Sequence, residues 1–327
     1  MKTKFLIIRF SSIGDIVLTT PVIRCLKQQV EGSTVHFVTK KQFMPLLQAN
    51  PHIDKIHCLD ESLTALVREL KKEKFDYIID LHHNLRSWLV KSGLRSFDFS
   101  FRKLNIEKWL MVNFKIDRLP RIHIVDRYMQ TLALFDVVND GKGLDYFIPE
   151  KDTVDVSILP AAFRQGYIAL VAGARHYTKQ LPMKKLVALC DLISKPIILL
   201  GGKEDIVMGD AVAGHTKGIV YNACGKFSIN QSASLVRQAR LVISHDTGLM
   251  HIAAAFKKKI ISLWGNTIPE FGMFPYFPDE NSRIIQVEGL ACRPCSKIGY
   301  ADCPKGHFRC MNELDEKQIA SLAHVLF

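Results

Sequence analysis

The stretch from Arg240 to Gly265, RLVISHDTGLMHIAAAFKKKIISLWG, is compatible with few folds. An apolar run, Leu241–Ser244, meets the polar turn His245-Asp246-Thr247-Gly248. Apolar residues then recur at helical spacing (Leu249, Ile252, Ala253, Phe256) before a second apolar run, Ile260–Trp264. The pattern predicts strand, turn, helix, strand, and two strands joined through a helix lie parallel in one sheet. Asp246 or Thr247 stands where a helix cap belongs, and Gly248 leaves the helix's first N–H groups, the positive end of its dipole, open to approach. Such a terminus is either an ordinary capped helix start or a seat for phosphate. His251, three residues after Gly248, could add a donor on the same side.

The same alternation runs through the rest of the chain. The first half predicts strands over Lys4–Phe10, Val35–Thr39, Lys55–Leu59 and Tyr77–Leu81, with helices over Ile16–Gln29, Gln42–Gln48, Leu63–Lys71 and Ile124–Val137. Pro21 cannot donate to the preceding turn, so the first helix should kink or begin near Thr20. Gly141, Gly143, Pro149 and Pro160 mark a linker over Asn139–Gln165. Strands over Ile168–Ala172, Ile197–Leu200 and Ile219–Tyr221 then alternate with helices over Met183–Ile193, Asp205–Ala213 and Gln231–Arg237, leading into the opening stretch. The expected fold class is α/β, with two doubly wound parallel-sheet domains over 1–155 and 156–327. A length of 327 residues suits two cores.

The formal net charge of +12 points to an anionic partner, and it is shared between the halves rather than held in a basic tail. The densest basic run is His82, His83, Arg86, Lys91, Arg95, Arg102 and Lys103 against Asp98; each alone reads as solvated surface, but together, after a strand end, they could line a site for a negatively charged substrate. The opening MKTKFLIIRF is too short an apolar run for a secretion signal and is interrupted by Arg9, so it reads as a buried strand of a cytoplasmic protein.

In open α/β sheets ligands bind beyond the carboxyl ends of the strands. Four turns fall there: Ser11–Asp15, Gly173–Lys179, Gly201–Asp205 and His245–His251. The last three offer Lys179, the acids Glu204 and Asp205 suited to ribose hydroxyls, and a helix N-terminus with Thr247, Gly248 and His251 for phosphates. In the first turn Asp15 is the one carboxylate, either a helix cap or a base facing a cleft between domains.

SSIGDIVLTTPVIRCLK near the N-terminus, TKQLP at Thr178–Pro182, LLGGKED at Leu199–Asp205 and SHDTGLMHIAAA at Ser244–Ala255 resemble glycosyltransferase family 9, the lipopolysaccharide heptosyltransferases, from about Lys4 to Leu326. The resemblance implies a GT-B fold, two Rossmann-like domains with the acceptor on the first and the nucleotide sugar on the second. It implies an inverting transfer of heptose or a related sugar from a nucleotide diphosphate donor, ADP-heptose in most members, to a lipopolysaccharide core or lipid A precursor, with no cofactor required. Asp15 matches the family's catalytic acid, Lys179 its lysine on the donor diphosphate, and Asp246, Thr247, Gly248 and His251 its phosphate turn. Glu204 matches the acid near the ribose, with Asp205 a one-residue alternative; Ser11, Ser12, Gly14, His82 and Arg86 fall on the acceptor side. The loop Ala174–Thr178 departs from the best-known members, with Ala174 and Arg175 in place of two small hydroxyl residues that contact the nucleotide. The protein would work at the cytoplasmic face of the inner membrane, its basic stretch toward anionic acceptor and headgroups.

Cys292-x2-Cys295-x7-Cys303-x6-Cys310 is a candidate structural zinc site, or else a set of reduced cysteines packed under a loop. Two rival functions follow from the same residues. A sugar-nucleotide epimerase fits the two-domain plan. A nucleic-acid-binding protein with a structural zinc fits the charge, but it leaves the turn motifs unexplained and lacks interleaved aromatic and basic residues, so no nucleic acid is expected.

Overall fold

The computed structural model describes residues 3–327 of the chain. In order, the first half holds β1 (Thr3–Ile8), α1 (Ile13–Val17), α2 (Thr20–Gln29), β2 (Ser33–Lys40), β3 (Lys55–Leu59), α3 (Leu63–Glu73), β4 (Tyr77–Asp80), α4 (Leu85–Leu94), β5 (Phe97–Ser100), α5 (Asn105–Phe114) and α6 (Ile124–Met129). The second holds β6 (Ile168–Val171), α7 (Met183–Leu192), β7 (Ile197–Leu200), α8 (Ile206–His215), β8 (Val220–Asn222), α9 (Ile229–Gln238), β9 (Leu241–His245), α10 (Gly248–Ala255), β10 (Ile260–Trp264), β11 (Arg283–Gln286), α11 (Arg309–Asn312) and α12 (Glu316–Leu326).

Two sheets form, ordered β3-β2-β1-β4-β5 and β11-β10-β9-β6-β7-β8. Every strand pair in both is parallel. A central parallel strand is covered on both faces and therefore carries apolar side chains without alternation. Phe5, Leu6, Ile7 and Ile8 of β1 accordingly have no exposure. Pairing of Ile8 with Val38 and Asp80 brings the carboxyl ends of β1, β2 and β4 level. In the second sheet Leu170 pairs with Ile243, and His245 with Leu263.

Pro21 acts as its chemistry demands: the chain breaks after α1, and Pro21 sits in the first turn of α2, where its missing N–H costs nothing. The helix expected over Gln42–Gln48 is instead a 3₁₀ segment, Lys41–Leu46, with Pro45 inside it. The expected helix over Ile124–Val137 is α6 followed by a 3₁₀ turn, Gln130–Phe135.

The chain divides into one unit running up to Lys103 and including Ile122–Pro149, and a second of Leu104–Arg121 with Glu150–Phe327. The divide at Pro149 lies inside the linker the sequence marks. The departure is α5, which the sequence places with the first half. Its Met111 and Val112, with Leu119, pack on Ile268 and Phe271, and that apolar contact assigns it to the second unit.

Candidate active site

In the first unit the site begins where β1 ends. Arg9 is only 8 % exposed. Its Nε donates to the Ser11 carbonyl at 2.8 Å and one terminal nitrogen donates to the Tyr128 hydroxyl at 2.9 Å. The other lies 2.7 Å from Asp15 Oδ1. Asp15 stands in the first turn of α1, and its Oδ2 accepts the Ser12 N–H at 3.1 Å and the Ser12 hydroxyl at 2.7 Å. The cap geometry is therefore present, yet the Asp15 side chain keeps 21 % exposure, so a hydroxyl can still reach it. Burial alone would raise its pKa, but Arg9 and the two Ser12 donors outweigh that and hold it at about 2.

His82 follows β4, its N–H donating to Asp80 Oδ1 at 3.0 Å and its ring set edge-on to Phe10 at 5.4 Å. Burial, then the Arg9 charge, pull it down to about 4 and keep it neutral near pH 7. Arg86 places its guanidinium 5.9 Å from the Phe10 ring centre and lines a concavity of about 740 Å³ with Lys40 and Lys41 and the acids Asp60 and Glu61, Asp60 already pairing with Lys41. Gly14 is buried in the first turn of α1, and Ser11 contributes its carbonyl to Arg9.

In the second unit Lys179 ends a 3₁₀ turn beyond β6, and its Nζ lies 2.5 Å from Asp246 Oδ2. Thr267 donates its hydroxyl to the same oxygen at 3.1 Å. Asp246 is thus drawn away from α10. Thr247, the residue at the N-cap, makes no side-chain cap bond and turns its hydroxyl to Ser244 at 3.1 Å. The expectation that one of these two caps the helix is corrected: both side chains are engaged elsewhere, and the N-cap residue Thr247 gives α10 no side-chain cap. An uncapped terminus with an ammonium beside it suits a diphosphate. His251 lies in α10 with 2 % exposure.

Glu204 is exposed on the turn after β7, whereas Asp205 is buried and its Oδ2 accepts the Gly202 N–H at 2.8 Å. A Cβ at Gly173 would lie 1.8 Å from that oxygen, so glycine there makes room for the carboxylate. Asp205 holds the turn, which leaves Glu204 as the accessible acid.

Two groups beside the candidate residues, one in each unit, are absent from the sequence reading of the site. Arg9 was visible as a charge interrupting an apolar strand. His245 ends β9 with no exposure, and its Nε2 accepts the Leu181 N–H at 2.9 Å, tying the lysine loop to β9. Burial drives His245 down to about 4 against the pull of Asp246. The unfolded chain takes up that proton near pH 6.5 and the folded chain only near 4, so stability falls as pH drops through this window, by up to about 3 kcal/mol for a full shift. His245→Asn is expected to flatten the fall in Tm between pH 6.5 and 4; parallel profiles for variant and wild type would remove His245 as a source.

Among the described residues, the one grouping of three His, Cys or acid ligand atoms within 4.8 Å is His36, His57 and Glu73. It is already satisfied: the two rings share a hydrogen bond of 3.0 Å, and Glu73 pairs with Lys4 and Lys55. Cys292, Cys295, Cys303 and Cys310 are all unbridged. Burial, then Cys292, pushes Cys295 up to about 11, and burial, then Cys295, pushes Cys310 up to about 12. The four share one neighbourhood, and their chemistry suits zinc, but no three sulfurs come within 4.8 Å as a closed site would require.

Comparison with known proteins fits this arrangement. The lipopolysaccharide heptosyltransferase 1 of Campylobacter coli is 25 % identical over 358 aligned positions, covering 99 % of both chains. A family 9 glycosyltransferase from Veillonella parvula superposes with a TM-score of 0.80 at 21 % identity, over 100 % of this chain and 98 % of that one. The Escherichia coli ADP-heptose lipopolysaccharide heptosyltransferase II superposes with a TM-score of 0.75 at 18 % identity, over 100 % and 98 %. The two Rossmann-like units are those of the GT-B fold. The sequence model of glycosyltransferase family 9 (heptosyltransferase) matches residues 63–301, and the chain, a glycosyltransferase, belongs to that family.

Proposed function

We propose that this enzyme transfers heptose or a related sugar, with inversion, from ADP-heptose to a lipopolysaccharide core or lipid A precursor. The observation that carries the reading is the uncapped N-terminus of α10 with Lys179 and Asp246 beside it. The diphosphate would accept from the first α10 N–H groups and pair with Lys179, with Thr247, Gly248 and His251 around it and Glu204 at the ribose. Asp15, assigned as the base, would take the proton of the acceptor hydroxyl as that oxygen attacks the anomeric carbon and the nucleotide departs. Residues 1–155 would supply the acceptor side and 156–327 the donor side. The Ser11–Gly14 turn, His82 and Arg86 would face the acceptor, with the Arg86 guanidinium meeting its anionic groups.

The test is release of ADP from ADP-heptose that depends on a lipid A core precursor, with UDP- and GDP-sugars in parallel. Acceptor-dependent release from another donor would reassign the nucleotide; interconversion of sugars without nucleotide release would favour the epimerase instead.

No helix among the described residues is long and apolar enough to cross a membrane. We place the enzyme in the cytoplasm, against the inner face of the inner membrane. On α4 the exposed Leu85 and Trp88 lie beside Arg86, with Arg95 just past the helix end, a mixture suited to anionic headgroups. A structural zinc on Cys292, Cys295, Cys303 and Cys310 would take no part in transfer and would require the four to draw together, since no three of their sulfurs stand within 4.8 Å of one another. Protein purified without chelator is expected to carry about one zinc per chain and to lose Tm on chelation; a content well below that sinks the assignment.

A further inference from the structure

The cysteine segment reaches the donor site from two sides. On one side it meets Thr178, the residue before Lys179 and 1 % exposed. Thr178 donates its N–H to the Tyr300 carbonyl at 3.2 Å, and its hydroxyl donates to the same carbonyl at 3.2 Å. That hydroxyl also accepts the Tyr300 N–H at 2.8 Å. On the other side Arg293 donates to the Thr267 carbonyl at 2.9 Å, and Thr267 in turn donates its hydroxyl to Asp246. The Lys179–Asp246 pair is therefore held at both members by one segment.

We propose that Thr178 and Arg293 are positioning residues, through which the 292–310 segment sets Lys179 and Asp246 for the donor diphosphate. The proposal rests on the reading that the diphosphate lies at the α10 N-terminus. A lysine side chain is long and rotamer-rich, so its ammonium is fixed only as well as the backbone beneath it. Thr178 anchors that backbone, one residue away. Arg293 acts through Thr267 on the carboxylate that aligns the ammonium. Small displacements matter here because stabilisation of a departing diphosphate depends on donors held in place in advance.

The experiment uses the full-length enzyme with ADP as the probe, by calorimetry, together with steady-state kinetics in both substrates. Thr178→Val keeps the shape and removes the hydroxyl. The Tyr300 N–H loses its acceptor beside the buried Thr178, so Tm should fall modestly, and binding is measured well below it. The expected result is about tenfold weaker ADP binding and a matching rise in donor KM, with acceptor KM unchanged and Thr178→Ser restoring the wild type. Arg293→Lys removes the fork that reaches Thr267, together with its bonds to the Val287 carbonyl and Gln286 Oε1; read well below its own Tm, it should move the same constants in the same direction and serves as the second variant. Unchanged ADP affinity in both variants overturns the proposal, as does a loss shared equally by both substrates that tracks Tm and is not rescued by serine. If the wild type binds no nucleoside diphosphate, the functional reading fails first. If the wild type binds ADP and the variants match it, only the positioning role is lost.

Discussion

Asp15→Asn is expected to lower kcat by about 10²- to 10⁴-fold, the range for losing a positioned base, while ADP affinity stays within about twofold. Asparagine preserves the shape, so its carbonyl oxygen can still accept from either Ser12 or Arg9. What it cannot do is hold the proton that the acceptor hydroxyl must lose. The cost in stability is separate: Arg9, 8 % exposed, would lose its ionised partner, so Tm should fall as well. Residual turnover is therefore to be measured well below the variant's Tm. Retained turnover there removes Asp15 as the base. The low resting pKa, about 2, adds a further mark. So stabilised a carboxylate is a weak base toward a free sugar hydroxyl, and proton transfer must accompany C–O bond formation, when the hydroxyl becomes acidic. Asp15 also stays ionised through the acid range, so loss of rate between pH 6.5 and 4 belongs to groups such as His82, not to Asp15. Arg9→Met should raise the Asp15 pKa and bring a carboxylate limb up into the measurable range.

How much of this could be seen in the sequence depends on how local each cause is. The β9–turn–α10–β10 unit was legible because its apolar runs and the period-3.6 pattern between them are written in neighbouring residues, and its two strands fall at Leu241–His245 and Ile260–Trp264. The break before α2 was legible because proline's missing donor is a property of one residue. The affiliation of α5 was not, since it is decided by Met111 and Val112 meeting Ile268 and Phe271, far away in the chain. The elements hidden in the basic run, α4 and β5, were missed because their charges obscure the apolar period; α4 buries only Ser87 and Val90.

The site divides along the same line. Residue types and turn positions pointed to Asp15, Lys179 and Gly248 as candidates, and the family resemblance added Asp246. The partners of these residues did not follow from type: that Asp246 faces Lys179 and Thr267 rather than α10, and that Asp205 is absorbed by Gly202, are outcomes of three-dimensional competition for one carboxylate. Thr247 looks like a cap by its position, yet Ser244 takes its hydroxyl. An uncapped helix start is visible only after those competitions have been resolved.

Lys179→Met is expected to lower kcat/KM by about 10²- to 10³-fold, comparable to the loss of a donor to developing negative charge. Two separate effects contribute. Methionine cannot neutralise the charge that grows on the diphosphate as it leaves, an effect confined to the transition state. It also strips Asp246, whose side chain is 11 % exposed, of its ammonium partner, placing an uncompensated carboxylate beside the phosphate seat and repelling ground-state ADP as well. Asp246→Asn in the same chain separates them. The double variant removes the repulsion, so ADP affinity and Tm should recover toward the wild type, while kcat should remain at the level of Lys179→Met. Recovery of kcat along with affinity would mean that Lys179 serves only to hold Asp246, and the departing diphosphate would then be stabilised by the α10 N–H groups alone.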